Sequence, residues 1–205
     1  VAVLLMVMVH AAATWGPSPS SQPSILVYIV SGLGGLAAPL FVTVFGWGCF
    51  HSSSTPPQRY LRAGFLLLSQ LAINVTAPHL FDVFTPGVLT LFAVLILTQP
   101  LWVSPFKNFH ERKNIILWSS ISTTLIVVYF ASGLQGSNQW DERIEVSTLA
   151  KWFSHLLLTG TYPLFPWLLF AILGSWIATQ EKTGLTFPVT KGAVTSLLTG
   201  VLFCI

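Results

Sequence analysis

Three groups of side chains in this sequence have the chemistry to act on a bound molecule. The first is His10, which ends the uninterrupted apolar run VAVLLMVMV. An ionisable group at membrane depth is a functional-site hypothesis by default, and its structural alternative is a neutral histidine at the interface. Three features favour function for His10: it closes an apolar helix, a loop free of charge follows it (AAATWGPSPSSQPS), and His79 and Asp82 are other polar residues able to converge on it. The second group is PHLFDVFTPG, in which His79 and Asp82 stand three apart and share a face if the stretch is helical. An Asp can orient an imidazole and stabilise its cation. The alternative is a surface histidine and a cap before the next helix, and two such ligands do not make a metal site. The third group is Arg59, Arg62, Lys107, Arg112 and Lys113. A polyanionic ligand needs such cations, although orientation in a membrane also explains them. No Ser-His-Asp order, paired-carboxylate set or zinc signature accompanies these groups, and no metal is expected.

The elements that hold these residues follow from composition. Of the 205 residues, 53% are hydrophobic and 7% are charged. A soluble domain carries about 25% charged residues, so this chain has too little polar surface to cover a water-soluble body. The apolar runs are continuous rather than alternating, which excludes the strands of a membrane barrel and points to an all-α transmembrane bundle. The two cysteines, Cys49 and Cys204, lie inside apolar runs and form neither a metal-ligand spacing nor a disulfide framework. The basic residues are scattered over loops, so no nucleic-acid partner is expected.

About seven spanning segments are expected, within a single transmembrane domain over 1–205: residues 1–14, 25–50, 60–77, 85–103, 113–134, 163–180 and 189–205. Thr85 is the expected N-cap of the fourth, with Pro86 at its first helical position. Residues 1–10 span only about 15 Å as a helix, half the hydrocarbon core, and the last segment stops within a helix. The expectation is a piece of a larger protein lacking both ends. With seven spans, Arg59, Arg62, Lys107, Arg112, Lys113, Lys182 and Lys191, seven of the nine Lys and Arg, share one side. The positive-inside rule makes that side, and the N-terminus, cytoplasmic. His10, His79 and His155 then lie toward the outer face, with His51 and His110 on the cytoplasmic side. Between the fifth and sixth spans, Ile144, Leu149, Trp152, Phe153, Leu156 and Leu157 fall on one helical face, while Glu145, Thr148, Lys151 and His155 fall on another. An amphipathic helix at the outer interface is expected there. Asn74-Val75-Thr76 fits the glycosylation triplet, close to the membrane.

Three stretches carry a resemblance: VAVLLMVMVHAAATW, YPLFPWLLFAILGSWIA, and TPGVL ahead of a spanning segment. Together they resemble the heparan-α-glucosaminide N-acetyltransferase-like membrane proteins, within the broader multi-pass acyltransferases. The resemblance implies transfer of acetyl from cytoplasmic acetyl-CoA, as cosubstrate, to a sugar-like amine or hydroxyl on the outer side. His10 matches the family's outward histidine, as general base toward the acceptor or as transient acyl carrier. Asp82 or His79 would orient it, and Arg59, Arg62, Lys107, Arg112 and Lys113 would hold the phosphates of the donor. Where the family often has an Arg after Pro-Gly-Val-Leu, this chain has Thr-Leu-Phe. A reading from another class stands beside this one: a non-catalytic subunit of a larger membrane complex, built on the same scaffold. Its partners would be membrane lipid and fixed protein neighbours or a second copy, to which the eight tryptophans and fifteen phenylalanines give wide apolar contact.

Overall fold

The computed structural model describes residues 1–15, 25–131 and 139–182. The helices are α1 (Ala2–Trp15), α2 (Ile25–Gly35), α3 (Ala37–His51), α4 (Pro56–Thr76), α5 (Val88–Asn108), α6 (Lys113–Phe130), α7 (Trp140–Ile144), α8 (Leu149–Ser154) and α9 (Leu164–Lys182). The expected all-helical architecture is therefore found. Three helical stretches among the described residues are long and apolar enough to cross a membrane: Gly32–His51, Val88–Asn108 and Lys113–Phe130. A fourth is the pair Leu149–Thr159 and Leu164–Gln180, bent by 46° and readable as one broken span. That is fewer than the seven expected from hydropathy runs. The seventh expected segment, 189–205, lies outside the described residues, and Ala2–Ala11 is a shorter apolar helix. Helix α4 has the length of a span, but Arg59, Arg62, Gln70 and Asn74 interrupt its apolar character.

Polar side chains share the interior of the bundle with apolar ones, and large apolar side chains cover much of its outside. Leu61, Phe65 and Leu68 of α4 and Ile115, Trp118, Tyr129 and Phe130 of α6 are exposed, while Gln70, Asn74, Gln99, Thr124, Ser175 and Thr179 are buried. Hydroxyls and amides turn inward where other helices satisfy them, and apolar side chains face outward, the arrangement that hydrocarbon requires. It is compatible with an integral membrane protein.

The apolar core forms where α3, α5 and α9 meet, around Val42, Phe50, Leu91, Leu95, Trp102, Phe106 and Phe170. Two glycines set its tightest point. A Cβ on Gly46 would strike the Ala171 carbonyl, and one on Gly174 would strike the Thr43 carbonyl and the Trp47 amide. The backbones of α3 and α9 therefore touch, and Ser175 Oγ donates to Gly46 O at 3.0 Å across the contact. Small residues let helices approach this closely, and close approach is what drives association where no hydrophobic force exists between helices.

A second structural unit joins α4 to α5. Gln70 Nε2 donates to Asn74 Oδ1 at 2.8 Å, and Asn74 Nδ2 donates to Val83 O at 3.0 Å and Thr85 O at 2.9 Å. Gln70 Oε1 accepts from Leu89 N at 3.1 Å, an amide in the first turn of α5 that no intrahelical carbonyl can reach. The helix is thus capped from α4 rather than by Thr85: α5 begins at Val88 with Gly87 as its N-cap residue. A Cβ on Gly87 would overlap the Gln70 amide, which would have to shift from its bonds to make room. The same bonds dispose of the glycosylation triplet, since the Asn74 side chain is 1% exposed and its amide is committed to two carbonyls. Replacing Asn74 by Ala strands those carbonyls and the Gln70 amide, and about 2–4 kcal/mol of stability is expected to be lost. Asn74→Asp, which keeps the shape but cannot donate, should lose a similar amount in a thermal unfolding series.

Candidate functional site

His10 sits on α1, which packs on α2 and α3. Its ring is exposed, and Nδ1 lies 2.8 Å from Met6 O, one turn back on the same helix. A carbonyl oxygen can only accept, so Nδ1 carries the proton. In the neutral ring the basic nitrogen is then Nε2. Such an imidazole is held in one tautomer and orientation by the other ring nitrogen, as a general base must be. The Met6 carbonyl fixes this orientation from within α1.

His79 and Asp82 lie in the connection between α4 and α5, which is not helical, so the shared helical face does not arise. Pro78 and Pro86, together with the Asn74 bonds to Val83 and Thr85, fix it as an irregular loop. Both side chains are exposed. The Asp82 carboxylate accepts from Val146 N at 2.8 Å, Thr85 Oγ1 donates to Ile144 O at 2.5 Å, and Trp140 Nε1 donates to Leu80 O at 3.2 Å. These bonds dock the α4–α5 loop on residues 140–146. Asp82→Ala should leave the Val146 amide without its acceptor, and its hydrogen exchange should quicken about tenfold.

The docking explains why the expected amphipathic helix is broken. Residues 145–147 are not helical, and helix resumes only at Leu149, where Thr148 Oγ1 caps the Lys151 amide at 3.1 Å. After Ser154 the chain makes a wider turn over His155–Thr159. His155, expected on a polar outer face, is 4% exposed. Its Nε2 lies 3.1 Å from Glu145 O and its Nδ1 2.7 Å from Thr159 Oγ1. Nε2 therefore donates, and the imidazole holds the extended segment against the turn. Beside the Asp82–Val146 bond runs a groove of about 600 Å³, lined by Phe84, Val146, Ser147, Thr148, Leu149 and Trp152.

The five cations separate into two places. Arg62 and Lys107 lie around the end of α3: Arg62 lines a cavity there, and Lys107 Nζ donates to Ser52 O at 3.3 Å and stands 5.6 Å from the Phe50 ring centroid. Arg59 is one turn before Arg62 on α4. Arg112 precedes α6, and Lys113 opens it, donating to Gln180 Oε1 at 3.0 Å. Cys49 is a buried free thiol at the floor of the α3 end, and Gln99 Nε2 donates to its carbonyl at 2.7 Å. Gln70 and Gln99 are positioning residues that motif spacing did not single out, and Asn74 and Thr85, which the sequence suggests as part of a glycosylation triplet and as a helix cap, serve instead as partners inside the bundle. Their signal is the amide or hydroxyl itself within an apolar run, where only an internal partner satisfies it. Among the described residues, no group of three His, Cys, Asp or Glu side chains gathers as a metal-ligand set.

Compared with family models, with curated proteins and with solved structures, the chain finds no match in any of the three.

Proposed function

We propose that this chain is a multi-pass membrane acyltransferase that moves an acetyl group from acetyl-CoA to a sugar-like acceptor, with His10 as the group that handles the proton. The observation that carries the reading is the 2.8 Å contact of His10 Nδ1 with Met6 O, which leaves Nε2 basic in the neutral ring. As the acceptor amine or hydroxyl attacks the thioester carbonyl, Nε2 takes its proton; the new N–C or O–C bond forms, the C–S bond breaks, and the proton passes to the departing thiolate. Where donor and acceptor meet His10 in turn, Nε2 instead carries the acetyl between them. In the orientation expected from the loop charges, with about seven spans and the N-terminus cytoplasmic, the acceptor side holds His10, His79 and Asp82. The groove beside Asp82 has the size of a small-molecule site. The opposite side holds Arg59, Arg62, Lys107, Arg112 and Lys113 for the phosphates of the donor.

Calorimetry with acetyl-CoA tests the donor half. Saturable binding by the wild type, lost when Arg59 and Arg112 are both changed to Ala, supports the reading; absence of binding removes it. In the second reading, a non-catalytic subunit of a membrane complex, the neighbour would sit on the exposed aromatic side of α6, with Trp118, Tyr129 and Phe130, where lipid lies in the first. A fixed partner that stays with the protein through purification, released by Trp118→Ala, supports that reading instead.

A further inference from the structure

The cavity at the end of α3 holds about 210 Å³ and is lined by Phe45, Cys49, Ser52, Ser54, Arg62 and Gln99, among others. That is below the roughly 300–1,000 Å³ of sites that enclose a whole drug-sized ligand. It suits one small polar group. Arg62 brings a full positive charge to the wall, and among the described residues no carboxylate pairs with it. A second cation, Lys107, stands by at the Ser52 carbonyl. The Ser52 and Ser54 hydroxyls lie 2.5 Å apart, so one donates to the other, and the second hydroxyl proton remains for a ligand. Fixed donors and uncompensated positive charge around a small volume are the chemistry of an oxyanion site.

Depth narrows the ligand further. Ser52 follows directly on the apolar stretch Gly32–His51, so the cavity opens where hydrocarbon ends and headgroups begin. From Arg62 the outer side of α4 continues with Leu61, Phe65 and Leu68, all exposed at helical spacing. An apolar strip leading to a cationic cavity matches a molecule with a chain in the bilayer and an anion at its head.

We propose that this cavity binds the phosphate of a phosphomonoester or phosphodiester, with Arg62 as its charged ligand and the Ser52–Ser54 pair as hydroxyl donor. The site shares Arg62 and Lys107 with the donor-phosphate set of the transfer reading and deepens it there, while the binding itself needs no chemistry at His10. Two sources supply the group: the headgroup of an anionic lipid, and a phosphate of a soluble carrier such as CoA.

The test uses the full chain in phosphatidylcholine nanodiscs, titrated with dioleoyl phosphatidate and, separately, with inorganic phosphate and with CoA, with retention read by native mass spectrometry. Phosphatidate should be retained over phosphatidylcholine, and Arg62→Ala should weaken retention about tenfold or more. Arg62→Lys should recover part of it, and Arg143→Ala, on α7 away from the cavity, should change nothing. Displacement of phosphatidate by CoA assigns the same site to the soluble carrier; retention of phosphatidate in excess CoA assigns it to lipid. Retention equal in wild type and Arg62→Ala, or no retention of any of the three probes, overturns the proposal.

Discussion

His10→Gln is expected to lower acetyl transfer by about 10²–10⁴-fold, the range that positioned proton-transfer groups contribute. Glutamine has a similar reach and can still donate to the Met6 carbonyl from its amide, so the helix keeps its local bond. What it lacks is a ring nitrogen with a free lone pair to take the proton. His10 is exposed, which makes loss of fold a poor explanation for loss of rate. A matching thermal unfolding curve alongside the transfer assay separates the two. Transfer at the wild-type rate by the Gln variant removes His10 from the chemistry.

The largest effect on stability is expected at Gly46 and Gly174. Each meets backbone of the facing helix, and backbone cannot swing aside as the tip of a long side chain can. Leucine at either position forces α3 and α9 apart and opens the core around Val42, Phe170 and Ala171. A loss on the order of 3 kcal/mol or more follows from overpacking, and the Ser175–Gly46 bond is lost with it. Gly48 and Gly64 lie in helices too, yet a Cβ there meets nothing within 4 Å. Their Ala variants should be neutral or gain up to about 1 kcal/mol from helix propensity. Unfolding midpoints of the four variants in one detergent check the contrast. Similar midpoints for Gly46→Leu and Gly48→Ala contradict a direct α3–α9 backbone contact.

The apolar runs were legible because a spanning or core helix is written in its own local sequence. Residues 60–77 and 163–180 overlap α4 and α9 closely, although α4 begins four residues earlier, at Pro56, where Gln58 Oε1 accepts from Thr55 N at 3.1 Å. The Thr85-Pro86 start for α5 failed for a tertiary reason: Gln70, nineteen residues earlier, supplies the cap, and Thr85 turns to Ile144 instead. The break at 145–147 has the same origin. Periodicity across Ile144–Leu157 is helical, but Asp82 takes the Val146 amide and His155 takes the Glu145 carbonyl, and these bonds hold the chain extended. Of the candidate site, the residue types of His10 and Arg62 were legible. The Met6 carbonyl as the partner of His10, and the company of Ser52 and Ser54 around Arg62, come only from the fold.

The central claim is that this chain carries out acyl transfer through His10. It is tested most directly with purified protein in sealed proteoliposomes, given acetyl-CoA labelled in the acetyl group on one side and glucosamine on the other. Labelled N-acetylglucosamine forming on the far side with wild type, and falling to background with His10→Gln, is the predicted result. No labelled product from wild type, with acetyl-CoA intact, contradicts it.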